Sequence, residues 1–473
     1  MRNRREFLKG AAWMGAAAFA AGCTGFRETF GAGEGGFMTG YAAPAMKKVC
    51  VGFVGLGSRG TPAVLRVAKI PGMEVAAICD LVPRQTDKLA AMLKADGKPA
   101  PKVFTGDENA WKRMCGWDGI DVVYNATPWA LHAPIGVYAM KAGKHVFIEV
   151  PSAMSIDECW ELVETSEATR RHCMQLENCC YGEIEMLALN LCRTGMLGDL
   201  VHGEGAYIHD LRGEQYAPQT IGDKPGAEDY GYWNYWRLEW NRIHGGNQYP
   251  THGLGPICQY MGVNRGDRFD YLVSLESKQV NFETYAKKEF GEGSWQAEKR
   301  IAMGDMNSTL IRTVKGRSIL VQHDVSSPRP YNRINLISGT KGILRDYPYR
   351  VGWEDKSGVG VHEFFPEEKA EKIREEFKHP LWRKTGELAK KVGGHGGMDF
   401  IMDLRWAYCL QNGLPLDMNV YDLASWCSLC ELSVRSVKAR SSSVDVPDFT
   451  RGGWRNYAPL GIVDIDLERI GLS

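Results

Sequence analysis

Lys48-Val-Cys-Val-Gly-Phe-Val54 runs straight into Gly55-Leu-Gly-Ser-Arg-Gly60, and that junction decides the fold. The first seven residues are apolar and rich in β-branched side chains, as in a buried strand. The glycines keep the spacing Gly-x-Gly-x-x-Gly and open an apolar helical pattern over Pro62–Ile70. Between a strand and a helix, such glycines let the backbone approach a pyrophosphate seated on the helix N-terminus. A second strand, Met73–Cys79, ends on Asp80, which lies 20 residues beyond Gly60 (80 − 60). A carboxylate there accepts hydrogen bonds from ribose hydroxyls and repels a 2′-phosphate, which favours NAD over NADP. Asp121–Asn125 and Lys144–Val150 are further strands, with a helix beginning in Ala126-Thr-Pro-Trp-Ala-Leu-His132 between them. Ligands in such sheets lie beyond the carboxyl ends of strands. Thr127–His132, Glu149, Val150 and Asn178 are therefore expected to rim the nicotinamide.

Outward from this core, the composition is that of a soluble globular α/β protein of two or three domains. The chain has 473 residues, 44% of them apolar and 24% charged. Lys+Arg and Asp+Glu each total 57 and no basic stripe stands out, so a nucleic-acid partner is not expected. Arg4-Arg-Glu-Phe-Leu-Lys9 reads as a twin-arginine export signal, and the apolar run Ala11–Ala21 is too short to span a bilayer. Ala20-Ala-Gly-Cys23 resembles a lipobox, which makes Cys23 a candidate lipid anchor and residues 24–46 a flexible linker. These features predict a periplasmic or outer-membrane-attached lipoprotein. The 13 cysteines lack a secreted disulfide spacing, and Cys79, Cys173, Cys192, Cys258 and Cys409 sit in apolar runs as small core residues. Cys427 and Cys430 form a C-x-x-C inside a helical pattern, Asp422–Val437, with no second ligand pair, so no metal is expected.

Glu149-Val-Pro151 stands where the Gfo/Idh/MocA oxidoreductases carry Glu-Lys-Pro. Gly195-Met-Leu-Gly-Asp-Leu200, Ile337-Ser-Gly-Thr-Lys-Gly342 and the helix pair from Asp399 around Asn412-Gly-Leu-Pro415 fit the same resemblance, which covers residues 47–440. It implies a Rossmann domain at 47–178. It also implies an α+β domain at 179–473, with an open, mainly antiparallel sheet for substrate binding and homo-oligomer formation. Family dehydrogenases use the lysine to deprotonate an alcohol, and Val150 cannot. A narrower resemblance accounts for the change. Trp233–Trp240, Gly245-Gly-Asn-Gln-Tyr-Pro-Thr-His-Gly-Leu-Gly-Pro256 and Gly393-Gly-His-Gly-Gly-Met-Asp399 look like glycoside hydrolase family 109. Members of that family are NAD-dependent α-N-acetylgalactosaminidases. The resemblance implies NAD contacts from Ser58, Arg59, Asp80, Trp129, Ala130, Leu131, His132, Glu149, Val150 and Asn178, beside the glycines Gly55, Gly57 and Gly60. Sugar contacts are implied for Tyr207, Arg237, Tyr249, Pro250, Thr251, His252 and Tyr331.

Most glycosidases flank the scissile bond with two carboxylates, and NAD-dependent ones are exceptions. No isolated carboxylate pair stands out here; the acids fall mostly on solvated faces such as Glu367–Glu376. The resemblance implies a redox route instead: oxidation at C3 of the sugar, loss of the acidified C2 proton, elimination of the glycosidic oxygen, water addition and re-reduction. That scheme needs two bases and an acid. His252, in a Gly/Pro-rich loop, is the first candidate base, since imidazole titrates near neutral pH. Tyr249 and Tyr331 are candidates for the second base or the acid, Tyr331 following two prolines that restrict the backbone. His395, among four glycines before a helix starting near Met398, is a further candidate. Trp233, Trp236 and Trp240 have the spacing of one buried helix face and read as core packing, with stacking on a sugar the alternative for one of them. The competing readings are an exported NAD-dependent sugar dehydrogenase or epimerase, and a non-catalytic carbohydrate-binding lipoprotein.

Overall fold

The computed structural model describes residues 36–217, 231–354 and 362–472. The twin-arginine motif, the lipobox and Cys23 lie outside the described residues. Six strands, β1 (Val49–Val54), β2 (Met73–Asp80), β3 (Lys102–Thr105), β4 (Val122–Asn125), β5 (His145–Ile148) and β6 (Cys173–Gln175), form one parallel sheet in the order β3-β2-β1-β4-β5-β6. β4, β5 and β6 are buried throughout, as expected of strands covered by helices on both faces. Val54 pairs with both Cys79 and Asn125, so the carboxyl ends of the three central strands line up beside Gly55, Asp80 and Ala126. This is the strand order of a Rossmann domain, with the chain reversing direction between β1 and β4.

A second sheet has the order β13-β12-β11-β7-β10-β9-β8-β14 among the described residues. Its strands are β7 (Leu200–Ile208), β8 (Phe269–Glu276), β9 (Asn307–Thr313), β10 (Ser318–Asp324), β11 (Leu336–Gly339), β12 (Gly342–Arg345), β13 (Arg350–Trp353) and β14 (Val444–Asp445). Only the β7–β10 pair is parallel, which makes the sheet mainly antiparallel as expected.

Five helices position the site: α1 (Gly60–Val67), α2 (Trp236–Ile243), α3 (Thr251–Met261), α4 (Met398–Asn412) and α5 (Val420–Cys427). α3 lies directly on β7, because Gly205 and Gly253 have no side chains to hold the two elements apart. A Cβ on Gly253 would sit 2.2 Å from the Ala206 amide nitrogen.

Four expectations change. His252 is not in a loop but in the first turn of α3, where Pro256 has no N–H to return to the His252 carbonyl. The helix expected over Asp422–Val437 is two, α5 and Leu429–Lys438, meeting at Ser428. Trp233–Tyr235 is a separate turn, broken from α2 by left-handed Asn234 and Tyr235. Residues 36–46, expected within a flexible linker, are packed down instead. Met38 and Ala43 are buried, Phe37 stacks on Tyr421 at 4.6 Å, and Arg170 donates to the Gly36 and Phe37 carbonyls.

Candidate active site

The glycine junction forms a cradle. Gly55 is left-handed (φ 84°), and a Cβ on Gly60 would fall 1.8 Å from the Gly55 carbonyl oxygen. Asp80 accepts from the Leu56 and Val82 amides at 2.7 and 2.9 Å, which fixes its carboxylate at the end of β2. A cavity of about 820 Å³ opens there. It runs past Gly55, Gly57, Ser58 and Arg59 to Trp129, Leu131, His132, Glu149, Val150 and Asn178, then on to Tyr207, Arg237, Tyr249, His252 and His395. A glycine cradle, a carboxylate at the end of β2 and one continuous cavity fit a dinucleotide whose nicotinamide end meets the second domain. Ala130 and Gly60 do not line the cavity; Gly60 shapes the cradle behind it.

Several expected cofactor contacts also bind one another. Trp129 donates its indole N–H to the Val150 carbonyl at 3.3 Å. Both His132 ring nitrogens lie 2.7 Å from carbonyl oxygens, of Pro151 and Thr127. Arg59 donates to Glu149 at 2.6 Å and to Asp399 at 2.7 Å. Asp399 also accepts from Asn178 and lies 2.9 Å from His395 Nδ1 and 3.5 Å from Arg66. Burial raises the Asp399 pKa, but Arg59, His395 and Arg66 outweigh it and hold the carboxyl well below its usual range. The network ties α1, the β5 and β6 ends and α4 together under the cavity.

At the far end His252 Nδ1 meets Glu177 Oε1 at 2.7 Å, and the Glu177 side chain is fully buried. Burial pushes Glu177 up, while His252, Thr251 and the Cys179 amide pull harder and keep it ionised below its ordinary value. The bond leaves His252 Nε2 as the outward-facing nitrogen. Glu177, Cys179 and His252 bring three potential ligand atoms within 4.8 Å of one another. The 2.7 Å contact between two of them is a hydrogen bond; ligands sharing one tetrahedral zinc stand roughly 3.3 Å apart. The trio does not fit a resident metal.

Arg237 is buried without a carboxylate partner among the described residues. Its guanidinium lies among Trp129 (5.0 Å), Tyr249 (5.1 Å) and Tyr232 (5.5 Å), and Nη1 donates to the Tyr232 hydroxyl at 2.9 Å. Nε and Nη2 are buried and unpaired. Tyr207 packs on Tyr249 at 4.4 Å and on His252 at 5.4 Å. Tyr331 stands at the rim rather than on the cavity wall, edge-on to His209 at 5.0 Å, and accepts from Arg333 at 3.1 Å. Pro250 and Thr251 are buried off the wall, where they set the start of α3 instead of facing a ligand. Trp236 and Trp240 pack on Trp129 at 5.1 and 5.9 Å, whereas Trp233 is exposed on the wall. Glu177, His209, Tyr232, Arg333 and Asp399 were not singled out from sequence. Glu177 carried one available signal, its place beside Asn178 just past β6.

A dinucleotide cradle sharing one cavity with a histidine–carboxylate pair, a buried arginine and a group of tyrosines defines an NAD-binding enzyme with an oxidoreductase-type fold. Residues 49–176 match the oxidoreductase family with an NAD-binding Rossmann fold, and residues 181–456 match the C-terminal domain of glycosyl hydrolase 109. The chain belongs to glycosyl hydrolase family 109. A family 109 protein of Bacteroides thetaiotaomicron is 46% identical over 422 residues, covering 87% of this chain and 86% of that one. An alpha-N-acetylgalactosaminidase of Shewanella oneidensis is 44% identical over 431 residues, 91% of either chain. Among solved structures, an NAD-binding oxidoreductase of Klebsiella pneumoniae shares the fold with TM-score 0.63 at 15% identity, over 85% of this chain and 100% of that one. Levoglucosan dehydrogenase with NADH and L-sorbose has TM-score 0.60 at 19% identity, with the same coverage. The protein is a glycoside hydrolase that binds NAD.

Proposed function

We propose that the protein removes terminal α-N-acetylgalactosamine from glycans by a redox-neutral elimination and hydration, acting beyond the inner membrane. The observation that carries this reading is the Glu177-bound His252 at the inner end of the cofactor cavity. It supplies a base where Val150 replaces the lysine of the oxidoreductases.

Bound NAD supplies a reversible hydride acceptor for C3 of the sugar. Gly55–Arg59, Asp80, Trp129, Glu149, Val150 and Asn178 are the residues that would hold it. His252, with Nδ1 committed to Glu177, takes a proton through Nε2, and the ionised carboxylate stabilises the imidazolium that forms. Tyr249 and Tyr331 are the candidates for the second proton transfer. Burial pushes the Tyr331 phenol up and Arg333 beside its oxygen only partly offsets this, so Tyr331 is the candidate proton donor rather than a base. Arg237, on the cavity wall without a carboxylate partner among the described residues, offers a positive charge to sugar oxygens in a low-dielectric setting. His395, largely exposed on the cavity wall and backed by Asp399, is the candidate to give a proton to the departing oxygen.

Export by the twin-arginine route, with a lipid anchor on Cys23, accords with this chemistry. A net dehydrogenase outside the cytoplasm would lack an NAD pool to re-oxidise its cofactor, and an enzyme that returns the hydride in place needs none. The outer face of the second sheet is the proposed homo-oligomer contact. The decisive experiment is turnover of an aryl N-acetyl-α-galactosaminide in D₂O without added NAD. Elimination places deuterium at C2 of the released sugar; full retention of C2 protium would overturn it.

A further inference from the structure

The three tryptophans of Trp233–Trp240 part company in the fold. Trp236 and Trp240 close around Trp129, and Trp240 also stacks on His244 at 4.2 Å. Trp233 lines the same cavity, yet is 37% exposed, and its indole has no ring or hydrogen-bond partner among the described residues. The backbone that presents it is strained, with Asn234 at φ 51° and Tyr235 at φ 54°, both left-handed. Consecutive left-handed residues other than glycine cost energy and persist where the surroundings hold them for a purpose. The turn aims onward: Tyr235 meets Trp295 edge-on at 5.2 Å, and Trp295 is itself 43% exposed. Trp295 carries the Lys299 ammonium over its face at 4.7 Å and lies off the cavity wall, which leaves Trp233 as the unpartnered indole on that wall among the described residues.

The direction matters. The ring to be oxidised must face the nicotinamide, at the inner wall of Trp129, Val150 and His252. Whatever is attached to that ring must then extend toward solvent, past the exposed members of the wall. We propose that Trp233 is an aromatic platform for the leaving part of the substrate, on which the pyranose ring next to the cleaved bond stacks. This rests on the glycosidase reading above and adds to it the residue that receives the leaving side of the glycan. A pyranose presents an apolar face of axial C–H groups, and an indole face is its natural complement in water.

Stacking of this kind is worth roughly tenfold per ring in affinity. The test compares a trisaccharide ending in N-acetylgalactosamine with the methyl glycoside of the same sugar, whose leaving group has no ring. In Trp233→Ala, kcat/KM for the trisaccharide falls about tenfold while that for the methyl glycoside stays within about twofold, and Trp233→Phe restores part of the loss. Equal losses on both substrates, or none on either, overturn the proposal. Trisaccharide binding, followed by indole fluorescence, separates the two readings. A wild-type enzyme that cleaves neither glycoside but loses trisaccharide affinity in Trp233→Ala keeps the platform and sinks only the hydrolase assignment; unchanged affinity sinks the platform.

Discussion

The proposed base role of His252, in the first turn of α3, rests on a neighbour just past the end of β6. Glu177 fixes the imidazole tautomer at 2.7 Å and repays the charge that proton uptake creates. Glu177→Gln keeps the shape and removes the charge, so kcat should fall about 100-fold, within the range that a positioned base contributes. Its KM should change by less than threefold, and a variant with unaltered kcat would show that His252 works without the carboxylate. Arg333 stands in the same relation to Tyr331. It donates to the phenol oxygen at 3.1 Å and to Glu185 at 2.6 Å. Arg333→Lys should lower kcat about tenfold, because a flexible ammonium replaces the guanidinium that holds the phenol oxygen. An unaltered kcat would remove Tyr331 from the candidates for proton transfer. His252, Tyr249 and His395 were legible in the sequence because they sit in long, unusual runs. Glu177 and Arg333 were not, since their meaning comes from partners 75 and 2 residues away and from burial that no spacing encodes.

At the scale of elements, α3 carries the site and its glycines set where it sits. Gly253 faces the β7 backbone, and Gly255 faces Glu177, with a Cβ there 2.9 Å from Glu177 Cγ and 3.1 Å from Cys180 Sγ. Gly255→Ala must push Glu177 or α3 aside, so activity should drop more than 10-fold for a stability loss of about 1–3 kcal/mol by overpacking. Denaturant unfolding measures the second quantity and steady-state kinetics the first. A fully active Gly255→Ala enzyme would mean that the dyad tolerates a shift of several tenths of an ångström. The sequence reading failed here for a physical reason. Gly253, Gly255 and Pro256 are poor helix formers, and only contact with β7 and the turn at Asn178–Tyr181 makes the segment helical. The Rossmann half was legible by contrast, because its strands are continuous apolar runs and its cradle needs glycine at fixed positions.

For the whole molecule the outer face of the second sheet and the buried histidines make opposite demands on solvent. Val273 pairs with Leu310, and Leu310 with Leu320, across the centre of that sheet, while Leu310 and Leu275 are exposed. If that face joins two copies, Leu310→Arg should convert the assembly to monomer by light scattering without loss of the thermal midpoint of the subunit; a wild-type monomer would end the idea. The histidines bear on acid tolerance. Burial pushes His145 and His379 down to about 4, and His172 and His323 to about 3. Each is neutral when folded, and the unfolded chain takes up the proton at about 6.5. Their contribution is therefore complete above pH 6.5 and is lost as pH falls toward the folded values, at about 1.4 kcal/mol per pH unit for each. Asp403 acts in the opposite sense: burial pushes it up to about 6, so it favours folding as pH falls through that value. Burial likewise raises Glu158, Glu276 and Asp346, and it lowers His132 and His209, so the histidines still outnumber the carboxyls and stability falls on balance as pH drops toward 5. The thermal midpoint should be level from pH 7 to 8 and fall by more than about 10 °C at pH 5. Replacing His172 by Gln, which keeps an acceptor for the Ala43 amide now bound at 3.3 Å, should flatten that slope. A midpoint that holds from pH 7.5 down to 5 would show that these rings are not kept neutral by the fold.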